Sequence, residues 1–92
     1  MRIDRLLWFL RLARSRTLAQ RLVEGGHIRR NGQRVERLAQ PVAPGDVLTL
    51  PLGGGVRVIE LLALPTRRGP APEAQACYRV LDEVPPFPIA AL

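Results

Sequence analysis

Residues 13–35 read ARSRTLAQRLVEGGHIRRNGQRV, and two signals inside this stretch decide the fold. Ser15 stands before RTLAQRLVE, in which Leu18, Ala19, Leu22 and Val23 recur at helical spacing. A serine in that position caps the free N–H groups of a helix start. Gly25 or Gly26 then supplies the left-handed residue that stops the helix. The second signal is Asn31-Gly32, the dipeptide that favours a two-residue hairpin turn. Strands of about three or four residues are expected beside it, with Ile28 and Val35 facing inward. The same stretch holds six arginines in 23 residues, and Arg11 lies just before it.

Upstream, Asp4 is placed to cap a helix over MRIDRLLWFLRLA that ends between Leu12 and Arg14. Ile3, Leu6, Leu7, Leu10 and Ala13 share one face, while Trp8, Phe9 and Leu12 occupy the other. Both faces therefore need cover. Downstream, Pro44-Gly45-Asp46 marks a turn into a strand at Val47–Leu50, and Gly53–Gly55 turns the chain into VRVIELLAL, a longer strand. Alternation in that strand is imperfect. The proline-rich segment 64–72 reads as a loop, and Pro72 suits the first turn of a third helix, EAQACYRVLDE. That helix, with Ala74, Cys77, Tyr78 and Leu81 on one side, is the expected cover for Trp8 and Leu12. The last residues, 84–92, hold several prolines and read as a flexible tail. The fold class is α+β: a two-helix hairpin on a small antiparallel sheet, with a short C-terminal helix.

All 14 basic residues are arginine, which removes lysine chemistry and leaves a side chain that forks onto phosphate oxygens. Charge is also unevenly placed. Residues 1–37 carry ten arginines and three acids, a net +7, whereas residues 38–92 carry a net −1. A basic first half on a neutral second half points to a polyanionic partner. Cys77 is the only cysteine, so no intramolecular disulfide forms and a reducing, cytoplasmic setting is expected. No apolar run is long enough to span a bilayer, and no membrane role is expected.

Catalysis is disfavoured by the residue inventory. His27 and Cys77 are single and lie in different elements, too few for a zinc site of nitrogen and sulfur ligands. Gly53–Gly55 lacks the lysine of a phosphate-binding loop. No cofactor, metal or small-molecule substrate is expected.

The arginines do make a site. Arg14 and Arg16 bracket Ser15 at a helix start, where unpaired N–H groups and the helix dipole attract an anion. Arginine at that end opposes the dipole, so two of them are best understood with a phosphate between them. Thr17 adds a hydroxyl. Arg29, Arg30 and Arg34 crowd the hairpin, with Asn31 and Gln33 as hydrogen-bonding groups. The two clusters are read as lying side by side, with His27 between them as either a packing residue or a contact. Arg2, Arg5, Arg11 and Arg21 extend the patch, Arg5 being turned towards the Trp8 side. The few aromatics read as core, so phosphate and shape recognition of folded RNA fits better than base stacking. On the residues alone a second reading stays open, a protein-interaction module guided to an acidic partner by its basic face.

The order of features resembles the S4 RNA-binding domain: Arg2–Asp4, then the Ser-Arg helix start, the glycines, Asn31-Gly32, and PVAPGDVLTL at 41–50. Further on, Arg67, Arg68, Pro72, Glu73, Ala74 and Tyr78 are similar to the bacterial heat shock protein 15 family. The resemblance implies the two-helix and small-sheet fold, with residues 1–50 as the RNA-binding core and 51–83 completing the same domain. It implies binding to ribosomal RNA on the free large subunit, and recycling or rescue of subunits that carry nascent-chain tRNA. tRNA is then a possible second contact, and a monomer is expected. Arg30 departs from the family pattern, which has an apolar residue before Asn-Gly. A basic C-terminal extension known in longer members is not matched by PPFPIAAL. S4 domains are also fused to catalytic domains, and none of those activities carries over.

Overall fold

The computed structural model describes residues 1–84, in which two helices are followed by four strands, a short helix and a last strand. They are α1 (Ile3–Phe9), α2 (Arg16–Glu24), β1 (Arg29–Arg30), β2 (Gln33–Arg34), β3 (Val47–Leu50), β4 (Val56–Leu61), α3 (Ala71–Gln75) and β5 (Tyr78–Val84). The strands form one antiparallel sheet in the order β2-β1-β3-β4-β5. Ile3, Leu6, Leu7 and Leu10 of the first helical segment meet Ala19 and Val23 of α2 and Leu48, Leu50, Ile59 and Leu61 of the sheet in one buried cluster. The expected α+β architecture is present.

The start of α1 differs from the sequence reading. Arg2, not Asp4, is the cap residue, and no side chain caps this end. The returning chain does the work instead: the N–H groups of Ile3 and Asp4 donate to the carbonyls of Gln40 and Leu38, at 2.9 and 3.4 Å. Two orphan donors of the helix start are thus met by backbone 30 or more residues away. The Asp4 carboxylate accepts from Arg2 at 2.8 and 2.9 Å and from the Arg5 N–H at 2.8 Å. The helix also stops earlier than expected, at Phe9, because Arg11 turns left-handed at φ 60°. Arg11 is held there by a distant partner, its Nε donating to the Gly69 carbonyl at 2.6 Å.

Ser15 caps α2 as the sequence predicts, its Oγ accepting from the Leu18 N–H at 3.1 Å. Replacing it with alanine is expected to lower stability by about 1 kcal/mol, read as a lower urea midpoint at unchanged slope. Gly26, at φ 78°, is the glycine that takes the left-handed turn. In the hairpin Arg29 pairs with Arg34 and Arg30 with Gln33, while Asn31 and Gly32 both have positive φ, 53° and 83°. Two successive left-handed residues are the mark of the turn that Asn-Gly favours. Both strands are shorter than expected, two residues each. Ile28 and Val35 flank them and are buried, as the pattern requires.

The second half needs a larger correction. The expected third helix is only the five residues Ala71–Gln75, and the rest of that segment is strand β5. Pro72 does sit in the first helical turn, and Ala74 is buried. Yet Leu81, assigned to the buried side of a helix, is 47% exposed. The open edge of β4 wins over the short helical pattern: from Leu61↔Tyr78 to Val56↔Val84, β5 satisfies its backbone. A bulge between Val58 and Ile59 shifts this register and accounts for the imperfect alternation seen in the sequence. Arginines lie over Trp8, with Arg68 and Arg16 at 5.5 and 5.8 Å from its ring centre. Val84 ends β5 rather than beginning a tail, and residues 85–92 lie outside the described residues.

Candidate nucleic-acid interface

At the start of α2 the chain places Arg14 and Arg16 on either side of a capped helix end. Both are exposed and neither forms an ion pair among the described residues. Ser15 occupies the Leu18 N–H, so the N–H groups of Arg16 and Thr17 remain at the open end of the helix. Thr17 is also exposed. Beside this end runs an apolar groove of about 420 Å³, walled by Leu12, Leu18, Leu22 and Leu52 with Arg14 and Arg21. Among the described residues its polar side chains are those of Arg14 and Arg21.

The hairpin cluster is built differently. Arg29 and Arg34 are directly opposite in register and both exposed, a like-charge pair that costs stability unless an anion relieves it. Arg29 donates to the Gly32 carbonyl at 3.2 Å. Arg34 lays its guanidinium against Gly26, about where a Cβ would stand 3.9 Å from Cζ. With Arg30, Gln33 and Gln40 it bounds a small polar recess of about 80 Å³. His27 is exposed beside it.

Arg30 and Asn31 are tied down rather than displayed. Asp46 is buried and accepts from Arg30 Nε at 2.7 Å, Arg30 Nη2 at 3.3 Å, Asn31 Nδ2 at 3.1 Å and the Ala43 N–H at 2.8 Å. Asn31 Oδ1 in turn accepts from the Val47 N–H at 2.8 Å. Burial alone raises the Asp46 carboxyl; the hydrogen bonds from Arg30, the Ala43 N–H and Asn31 outweigh it and leave the group below its ordinary 3.8. This carboxylate staples the hairpin tip to the turn before β3. The sequence reading treated Asp46 as a turn residue and saw no link to Arg30, because 16 residues separate them.

Arg14 and Arg16 stand at the N-terminal end of α2, whereas Arg34 lies against Gly26, just past its C-terminal end. Of the outlying arginines, Arg5 and Arg21 are exposed, Arg2 is bound to Asp4, and Arg11 is bound to Gly69. Arg68 is not among the residues that the sequence assigns to the patch; its Nε donates to the Trp8 carbonyl at 3.1 Å. Its pairing with Arg67 in the sequence was the available signal. Among the described residues no three histidine, cysteine or acidic side chains gather as a metal site, and no helix is long and apolar enough to cross a membrane.

Comparison with known proteins bears on this arrangement. The S4 domain model matches residues 1–48, the span that contains both arginine clusters. Heat shock protein 15 of Escherichia coli K12 is 36% identical over 83 residues, covering 90% of this chain and 62% of the relative. The heat shock protein 15 homolog of Haemophilus influenzae is 34% identical over 79 residues, covering 86% and 60%. The chain thus spans about three-fifths of the length of these relatives. The trimeric structure of Vibrio cholerae heat shock protein 15 superposes with a TM-score of 0.81 at 38% identity, covering 87% of this chain and 80% of that one. On the match of sequence and fold, the chain belongs to the S4 domain family, among the heat shock protein 15 proteins.

Proposed function

We propose that this protein is a non-catalytic RNA-binding protein that docks on structured ribosomal RNA through phosphate contacts. The observation that carries the reading is the pair Arg14 and Arg16, exposed and without ion-pair partners among the described residues, at the open N-terminus of α2. Fixed charge, orphan N–H donors and the helix dipole converge there on one kind of ligand, a phosphate. Arg29, Gln33 and Arg34 hold a second stretch of backbone, with His27 beside it, while Arg30 and Asn31 shape the hairpin through Asp46. Arg21 and Arg5 add charge along the face; Arg2 and Arg11 support it from their bound positions.

Membership among the heat shock protein 15 proteins supports the finer reading. The RNA is that of the free large ribosomal subunit, in the cytoplasm, and the role is recycling or rescue of subunits that carry nascent-chain tRNA. Cosedimentation with separated subunits, intact ribosomes, and large subunits with or without peptidyl-tRNA tests it. Binding to the free large subunit, strongest when peptidyl-tRNA is present, is the expected result. Failure to bind any ribosomal particle contradicts the ribosomal assignment, and nuclease-resistant capture of an acidic protein favours a protein-interaction role. A monomer belongs to the same reading; sedimentation equilibrium checks it, and a trimer like that of the Vibrio cholerae relative would replace it.

A further inference from the structure

Three of the four arginines after residue 37 are neutralised by glutamates. Arg57 pairs with Glu83 at 3.0 Å, Arg67 with Glu73 at 2.9 Å and Arg79 with Glu60 at 2.6 Å. Arg68 forms no ion pair among the described residues. Instead it reaches back to the S4-matching half, donating from Nε to the Trp8 carbonyl at 3.1 Å with its Cζ 5.5 Å from the indole centre. Arg16 lies 5.8 Å from the same ring, and Arg11 anchors to Gly69, the residue after Arg68, at 2.6 Å. Glu73 also lies against Gly69, but both its oxygens go to Arg67, at 3.3 and 2.9 Å.

Two guanidiniums from distant parts of the chain therefore lie over one tryptophan, and a third, that of Arg11, is anchored on the residue next to Arg68. Their mutual repulsion opposes this arrangement, and the indole face offsets only part of it. Stacking over a ring fixes the plane of a guanidinium while leaving its in-plane N–H groups free to fork onto oxygens. The bonds that hold Arg11 and Arg68 use Nε alone, so their terminal nitrogens remain available among the described residues.

We propose that Arg16 and Arg68 over Trp8, with Arg11 anchored beside them at Gly69, form a second phosphate site for the RNA backbone, partly built from residues beyond the S4 match. The proposal rests on the RNA-binding reading. It gives the loop before α3 a binding role, with Arg16 linking this site to the helix start.

The test is titration of large-subunit ribosomal RNA over a salt series with Arg68→Gln, Arg68→Lys and the control Arg79→Gln. Arg68→Gln is expected to weaken binding about tenfold or more, the effect of losing one charge-assisted contact, and to reduce the salt slope by roughly 0.7–0.9, the share of one phosphate. Arg68→Lys keeps the slope, and Arg79→Gln changes neither quantity. Equal slopes in wild type and Arg68→Gln, with binding still lost in the Arg14→Ala/Arg16→Ala variant, overturn this site and leave the RNA reading standing. A slope lost equally in Arg68→Lys overturns it in favour of packing on Trp8. Absence of binding by wild type overturns both. A readout without a variant uses Trp8, the single tryptophan of the chain: the RNA should protect its fluorescence from acrylamide, and unchanged quenching overturns the proposal.

Discussion

Replacing Arg14 and Arg16 together with alanine lowers affinity for structured ribosomal RNA by about 100-fold or more while the protein stays folded. Each arginine supplies a charge-assisted contact of about 1.5–3 kcal/mol, so losing two removes about 3 kcal/mol or more. The apparent salt dependence should fall in parallel, by roughly 1.4–1.8 in slope for two phosphates. Stability should hardly change. Both side chains are exposed and make no ion pair among the described residues, and their charge opposes the dipole of α2. The losses are a weak stack of Arg16 on Trp8 and little else. Binding isotherms with thermal melts of the same samples check this. A melt as low as that of a destabilised variant, or an affinity within twofold of wild type, counts against the assignment.

Asp46→Ala is expected to have the opposite signature, a large loss of stability with a weaker, indirect loss of binding. Removing the carboxylate leaves Arg30, Asn31 and the Ala43 N–H without their common acceptor. Breaking a buried, hydrogen-bonded pair costs about 3–5 kcal/mol, and partial exposure of Arg30 brings this to about 2–4 kcal/mol. A domain of this size has only about 5–15 kcal/mol in total, so the melting temperature should drop by about 10 °C or more. The pH dependence follows from the depressed carboxyl. A group with a lowered folded-state pKa stabilises fully above its unfolded value, near about 4. That contribution is lost as pH falls through the folded value. The stability gap between wild type and Asp46→Asn should therefore be widest at neutral pH and narrow below about pH 4. Urea midpoints of both proteins between neutral and acidic pH measure it.

Some of these roles are legible in the sequence and others are not. Ser15 and Asn31-Gly32 act on backbone within three residues of themselves, so their roles were written locally and the structure repeats them. Asp46 looked like any turn aspartate, because its partners Arg30 and Asn31 come from a hairpin brought near only by the β1–β3 pairing. The start of α1 was misplaced for the same reason: its donors are met by Leu38 and Gln40, and Asp4 was left for Arg2. Tyr78–Val84 carried both a helical spacing and β-forming residues, and the unpaired edge of β4 decided between them. The charge of the site was fully readable, whereas its spacing was not. Only the folded chain shows Arg34 against Gly26 beyond the C-terminal end of α2, and Arg68 returning to Trp8.

The most direct test of the RNA-binding account is the affinity of the wild-type protein for large-subunit ribosomal RNA, measured from low to high salt. Four or more phosphate contacts predict a slope of about −3 or steeper in log affinity against log salt. A slope near zero, with affinity retained, would contradict phosphate recognition and require a different partner for this basic face.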